Sequence, residues 1–334
     1  MYWGGNWWTT IRTFIVAKNT MPPVRVSVVV PTLNGGKELE ELLAAIARQR
    51  LASGSFEIVA ADSGSTDGTR ERLASAGATV IDVPKGSFDH GATRDLAISR
   101  STGEIAVLVV QDAVPGSDDW LAGLVREFDD PKVAATTCRQ VARAEHPALT
   151  AARLCESPYG SMERRSSRLE DGVALASLPP LEQLRLCTLD NVCSAVRRSV
   201  WETIRFGPCA FGEDLAWAKQ AIAAGWTITY TPDVHVVHSH DRSVVYEYRR
   251  TYLNHFLLHR LFGVRTVPRV GIAWRSLWTS GGWMRTAWKG ERSLGRKLAG
   301  VVRAPTERFA TALAQYEGAR DSAEGRPARR FKGI

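Results

Sequence analysis

Cysteine is scarce in this 334-residue chain: there are five, Cys138, Cys155, Cys187, Cys193 and Cys209, and no two stand in a C-x-x-C pair. An odd count without paired spacing suggests neither a disulfide framework nor a zinc site, so ordinary reduced thiols are expected. No apolar run approaches the ~20 residues that cross a bilayer, and the first 20 residues lack the basic start and apolar centre of a secretory signal. A chain that stays in the cytoplasm is therefore expected. Internal repeats are also missing. What is present is a 44% apolar composition, enough to bury a sizeable core in one large domain or two. The net charge of +8 is unevenly placed, since residues 285–334 hold 12 Lys or Arg against 5 Asp or Glu, leaving the rest of the chain nearly neutral. Residues 1–23 show no period, and Met21-Pro22-Pro23 stands directly before the first strand. Met21 is expected to be the natural start and the extension before it to be poorly ordered.

Strand and helix patterns alternate from residue 24 onward. Val26–Val30, Phe56–Ala61, Ala78–Val83 and Glu104–Val110 are short apolar runs. Between them Leu39, Leu42, Leu43 and Ile46 fall at helical spacing, a second helix is expected near 67–76 before Gly77, and a third over Ala92–Ser101. Such alternation predicts a largely parallel sheet flanked by helices. Ser117 is expected to cap a helix reaching about Phe128. Further strands are expected over Val133–Val141, Asn191–Arg197, Trp226–Thr231 and Val234–Val237, with a helix over Glu213–Ala224. Residues 157–180, rich in Ser, Arg, Gly and Pro, are expected to form a mobile loop region. Three of the apolar runs end in polar residues: Pro31-Thr32-Leu33-Asn34-Gly35-Gly36, Asp62-Ser63-Gly64-Ser65-Thr66-Asp67-Gly68 and Gln111-Asp112-Ala113. Ligands of open α/β sheets gather outside the carboxyl ends of the strands, so these three ends point to one site.

Five segments in order, VSVVVPTLNGG, ADSGSTDGT, FDHGATRD, VVQDAVP and FGEDLAWAKQ, resemble family 2 glycosyltransferases over about residues 24–262. The FDHGATRD and QDA segments look most like the bacterial rhamnosyltransferase branch of that family. The resemblance implies the GT-A nucleotide-diphospho-sugar transferase fold, with residues 263–334 as a basic, helical, Trp- and Arg-rich extension. It also implies an inverting transfer of a deoxysugar, L-rhamnose from dTDP-L-rhamnose, to a saccharide or lipid-linked acceptor for a cell-surface polysaccharide or glycolipid. A UDP- or GDP-hexose donor on the same fold stays open, as does a catalytically silent nucleotide-binding scaffold at the membrane. A nucleotidyltransferase is disfavoured, because the Gly-rich, Arg-containing phosphate loop of that class is absent near the first strand.

Carried over residue by residue, the resemblance assigns Pro31, Thr32, Asn34 and Asp62 to the nucleoside pocket, with Asp67 nearby. Asp67 reads equally well as a helix N-cap. Departure of a diphosphate needs electrophilic help, supplied in this family by Mg2+ or Mn2+. The usual Asp-x-Asp is here Val110-Gln111-Asp112, so only Asp112 remains as its carboxylate ligand and Gln111 stands beside it in the donor site. His238 or His240 is expected to complete the metal shell. By the same resemblance Asp214 is the general base and Glu213 supports it, although acidic residues at a helix start are common for electrostatic reasons alone. His90 and Arg94 are placed near the phosphate or sugar, a salt bridge from Arg94 to Asp89 or Asp95 being the bland alternative. Asp190 and Asn191 are assigned to the acceptor, and Arg197 and Arg198 to the segment below it.

In the basic C-terminal region, Trp274, Trp278, Trp283 and Trp288 alternate with Arg275, Arg285 and Lys289. Such a pattern suits peripheral contact with a membrane, and equally suits packing on the domain or on a second copy in a homo-oligomer. No nucleic-acid recognition motif accompanies the basic tail.

Overall fold

The computed structural model describes residues 24–52 and 54–331, so the expectations for the first 23 residues lie outside it. The chain alternates through β1 (Val24–Thr32), α1 (Gly36–Ala47), β2 (Ser55–Asp62), α2 (Thr69–Ser75), β3 (Thr79–Asp82), α3 (His90–Ser99) and β4 (Ile105–Val109). It continues through β5 (Val114–Pro115), α4 (Trp120–Arg126), β6 (Val133–Val141), α5 (Ala148–Glu156), β7 (Arg165–Ser167) and α6 (Pro180–Leu186). Then follow β8 (Cys193–Arg197), α7 (Arg198–Trp201), α8 (Glu213–Ala223) and β9 (Thr227–Val237). The rest is helical: α9 (Val244–Phe262), α10 (Val270–Trp278), α11 (Gly281–Gly290) and α12 (Leu294–Ala323), with α12 packed along α9.

One sheet organises these elements in the order β3-β2-β1-β4-β8-β6-β9-β5, and β7 pairs with β9. Residues alternate between its two faces with the period of two that a strand imposes. Val26, Val28 and Val30 of β1 join the cluster under α1 and α4, whereas Val29 joins the cluster under α3 and α8. Burial on both faces is why these strands read as continuous apolar runs. The stripe expected on α1 is all buried, Leu39, Leu42, Leu43 and Ile46 alike. Each such side chain contributes about 1.5–3 kcal/mol of burial.

Parallel pairing joins β3, β2, β1 and β4, and again β6 with β9. Strand β8 runs antiparallel between β4 and β6. This reversal matters for the site. Cys193 lies opposite Val109 and Arg197 opposite Ile105, so β8 begins at the edge where β4 ends. Asp190 and Asn191 are thereby delivered to the same edge as Thr32, Asp62 and Asp112.

Several sequence expectations need correction. Ser117 caps no helix: α4 starts at Trp120 after Asp119, and neither residue supplies a side-chain cap. The segment 157–180 is not simply a loop, because Arg165–Ser167 pair with Tyr230, Thr229 and Ile228 of β9. Three residues have no detectable period of their own, and only the partner strand makes them β. The two expected strands around Thr231 and Val234 are one, β9, which passes an irregularity where its register against β6 shifts. Arg197 and Arg198 lie at the far end of β8 from the site, their guanidinium groups donating to carbonyls of Phe128, Val133, Ile98 and Gly103. Among the described residues no helix is long and apolar enough to cross a membrane.

Candidate active site at the strand ends

The turns after β1 and β2 are stitched together by side chains expected at the nucleoside. Thr32 and Asp62 face each other in register, and the Thr32 hydroxyl donates to Asp62 Oδ2 at 3.0 Å. Asp62 also accepts from the backbone N–H groups of Gly64 (3.1 Å) and Ser65 (3.0 Å) and from the Ser65 hydroxyl (2.6 Å). Burial opposes its charge, but these hydrogen bonds prevail and hold the carboxyl below its ordinary value. Asp62 is fully buried, so it shapes the turn from beneath. Asp67 accepts from Thr69 N–H and from Gly36 N–H, joining the starts of α2 and α1. The residue that occupies the N-cap position of α2 is Gly68, in the left-handed region. Asn34, at φ +46°, accepts from Thr66 N–H at 2.9 Å. Gln111 clamps the same turn by exchanging two hydrogen bonds with the backbone of Leu33. Pro31 ends the row, half-buried beside Ala61.

Asp112 follows on the short link from β4 to β5. Strand β5 pairs with the end of β9, Val114 opposite Val237, which sets Asp112 beside His238 and His240. His240 Nε2 lies 3.5 Å and His238 Nε2 3.8 Å from Asp112 Oδ2. One ligand atom from each of the three residues falls within 4.8 Å of the others. Burial lowers the pKa of both imidazoles to about 4, so they are neutral and carry a free lone pair at neutral pH. One carboxylate and two neutral imidazoles form a donor set that fits a divalent cation. The nitrogen ligands favour Mn2+ over the harder Mg2+.

The third part of the site stands at the head of α8. Gly212 precedes it at φ +75°, and a Cβ there would meet Leu257 Cδ2 at 1.9 Å, so only glycine lets α8 start against α9. Asp214 accepts from Asn191 N–H at 3.2 Å and from Leu215 N–H at 2.8 Å. Burial, then the neighbouring Glu213 and Asp190, raise its pKa to about 8. Glu213 is buried against Arg94, Oε1 to Nη1 2.9 Å, and accepts from the Asn191 side chain at 3.0 Å. Arg94 thus pairs with neither Asp89 nor Asp95. Asp89 caps α3 and accepts from Cys209 N–H, while Asp95 accepts from Trp201 Nε1, Phe206 N–H and Gly207 N–H. His90 stacks edge-on against Phe88 and lies 3.3 Å from Arg94, and burial followed by that charge lowers its pKa. The FDHGATRD segment is therefore a clamp on the loop that leads into Glu213 and Asp214.

Gln140, at the end of β6, joins the metal-type triad to the acidic end, and no motif marked it in the sequence. Its Nε2 donates to Asp190 Oδ2 at 2.9 Å, and its Oε1 lies 3.3 Å from His238 Nδ1. Asp190 is raised by burial and lies in the field of Arg250 on α9, which also acts on both histidines. Tyr159 is pushed well up by burial and by Asp190 and Asp214. Arg143 donates to the carbonyl of Asp112 and pairs with Glu41. Gln140, Tyr159, Arg143 and Arg250 gave no sequence signal, because each acquires its neighbours only through the sheet order.

Residues 27–175 match the family model described as Glycosyl transferase family 2. Over those residues the chain is similar to family 2 glycosyltransferases. It is 27% identical over 234 residues to the O-antigen chain rhamnosyltransferase RfbN of Salmonella typhimurium, spanning 68% of this chain and 70% of that one. The O-antigen chain rhamnosyltransferase WbaN of Salmonella anatum is 27% identical over 230 residues, 67% of this chain and 69% of that one. Among solved structures, the mannosyltransferase PcManGT from Pyrobaculum calidifontis, in complex with GDP-Man and Mn2+, superimposes with TM-score 0.55 at 21% identity. That match covers 92% of this chain and 89% of the other chain and shows the shared GT-A fold.

Proposed function

We propose that this transferase inverts configuration as it moves L-rhamnose from dTDP-L-rhamnose to a saccharide or lipid-linked acceptor, in synthesis of a cell-surface polysaccharide or glycolipid. The observation that carries the reading is Asp214, a half-buried carboxyl raised to about 8 and tied through Asn191 to the strand edge that bears Asp112. A group poised near neutrality is suited to general-base work. The names of the two Salmonella relatives and the FDHGATRD segment support the rhamnose donor.

In this reading the nucleoside rests on the turn carrying Pro31, Thr32 and Asn34, whose shape Asp62, Asp67 and Gln111 set. The ionised Asp214 takes the hydroxyl proton of the acceptor as that oxygen bonds to the anomeric carbon. The bond from that carbon to the diphosphate breaks, and its electron pair leaves with the diphosphate. Attack opposite the leaving group inverts the centre. Asp112, His238 and His240 would hold Mn2+ or Mg2+, which supplies charge neutralisation to the leaving diphosphate when bound. Arg94 pairs with Glu213 and holds the α8 start in place, with His90 packed beside it, and Asp190 with Asn191 borders the acceptor. Gln140 keeps the proton of His238 on Nδ1, because its amide oxygen only accepts and its amide nitrogen is committed to Asp190.

Calorimetry with dTDP, UDP, GDP and their sugars, with and without Mn2+ or Mg2+, tests the reading. Metal-dependent preference for dTDP and dTDP-L-rhamnose is expected. Preference for UDP or GDP would move the donor and keep the enzyme class, and no binding of any nucleotide would overturn the reading.

A further inference from the structure

We infer that α10, α11 and the first half of α12 form a docking face for an anionic lipid bilayer. Two apolar stripes lie open on α10 and α12, each at i, i+4, i+8 spacing: Val270, Trp274 and Trp278 on α10, and Leu294, Leu298 and Val302 on α12. Trp278 is 89% exposed and Val302 72%, values foreign to side chains that pack on their own domain. Trp288 of α11 adds a third exposed indole beside Lys297. Trp283 differs, being half-buried between Arg153 and Arg308. The structure thus separates the tryptophans that the sequence left together.

Charge selects the occupant. Residues 264–306 contain nine Lys or Arg and one acidic residue, Glu291, a balance of +8 that equals the net charge of the whole chain. Glu291 is buried and paired with Arg296. Arg269, Arg275, Arg285, Lys289 and Arg292 are all exposed around the apolar stripes. A second copy meeting this face symmetrically would bring these cations together, whereas phosphate headgroups complement them and the interfacial zone accepts indole rings.

The face is also fastened to the site. Arg303 donates to Asp241, next to His240, and to the carbonyl of Arg242. Arg296 donates to the carbonyl of Glu145, and His146 bonds Ser239 at 2.6 Å, between the two histidines of the metal-type triad. A bilayer on this face therefore lies beside the end of the molecule where the acceptor is transformed. This inference does not depend on the identity of the donor.

The test is sedimentation of the full chain with vesicles of phosphatidylcholine alone and of phosphatidylcholine mixed with phosphatidylglycerol, across a salt series. Binding to the mixed vesicles that falls with salt, and little to the neutral ones, is expected. Trp274→Ala with Trp278→Ala should weaken partitioning at least about tenfold. Each of Arg275→Gln and Arg285→Gln should weaken it about fivefold. Leu298→Ser with Val302→Ser gives a second apolar variant should the tryptophan pair disturb folding, and calorimetric nucleotide binding should be unchanged in all of them. Wild-type chain that stays in the supernatant, or variants that bind as wild type does, would overturn the inference. So would a dimer in light scattering that the tryptophan variants abolish without any vesicle binding, which assigns the face to a second copy.

Discussion

The Gln140 amide nitrogen sits 2.9 Å from the Asp190 carboxylate, an arrangement that turns its amide oxygen toward His238. Two parts of the site that belong to different strands are thus joined by one side chain. Its orientation is fixed by charge: a carboxylate accepts only from the nitrogen end. His238 consequently presents Nε2, with its lone pair, to the space beside Asp112.

Gln140→Met keeps the length of the side chain and removes both hydrogen bonds. Mn2+ affinity of the full chain, read by the electron paramagnetic resonance of free Mn2+ in the presence of dTDP, should fall about 10–100-fold. His238→Ala serves as the reference. Loss of Mn2+ binding in His238→Ala with none in Gln140→Met would remove Gln140 from this role while leaving the metal site standing.

Asp214→Asn should lower kcat by about two to four orders of magnitude with little effect on nucleotide affinity. Activity should rise with pH through about 8 as the Asp214 carboxyl, held up by burial, ionises. The stability effect has the opposite sign. A carboxyl whose folded pKa lies above its unfolded value binds its proton more tightly when folded, so stability is lost as pH rises from about 4 to about 8. Thermal denaturation of Asp214→Asn should show a gain over wild type that is larger at pH 8 than at pH 4.

Arg94→Met leaves Glu213 buried without its cation, and chemical denaturation should show a loss of about 3–5 kcal/mol. The double variant Arg94→Met with Glu213→Gln should lose less than the sum of the single ones. Gly91→Ala attacks the same clamp from the backbone, since a Cβ there would lie 2.0 Å from the carbonyl oxygen of Gly207. It should destabilise the chain, whereas Gly282→Ala, which meets open space, should change stability by no more than about 0.5 kcal/mol.

Burial lowers His238, His240 and His255 to about 4. These groups bind fewer protons folded than unfolded between pH 6.5 and 4, so stability should fall as pH drops across that window. Metal affinity should stay nearly flat from pH 8 to 6 and decline as pH approaches 4. A Mn2+ titration that collapsed near pH 6.5 would show that the imidazoles are solvated as in free histidine.

Much of the fold was legible because β1, β2 and β4 are buried on both faces and α1 on one, which leaves local apolar patterns. The acidic and polar strand ends were legible for the same reason, since Asp62 stands directly after such a run and Asp112 one residue beyond another. Strand β7 was not, because three residues take their conformation from β9 alone.

By itself the sequence determined the alternating first half, the position of every carboxylate and histidine, and the basic, tryptophan-rich character of the C-terminal helices. Only the tertiary structure decided partners. Arg94 found Glu213 in place of its neighbours Asp89 and Asp95, Gln140 found Asp190 and His238, and Trp283 turned inward while Trp278 stayed open. The reason is geometric: β8 enters antiparallel between β4 and β6, and β9 ends against β5. Those pairings, which depend on contacts far apart in the chain, set which charged and polar groups share one edge.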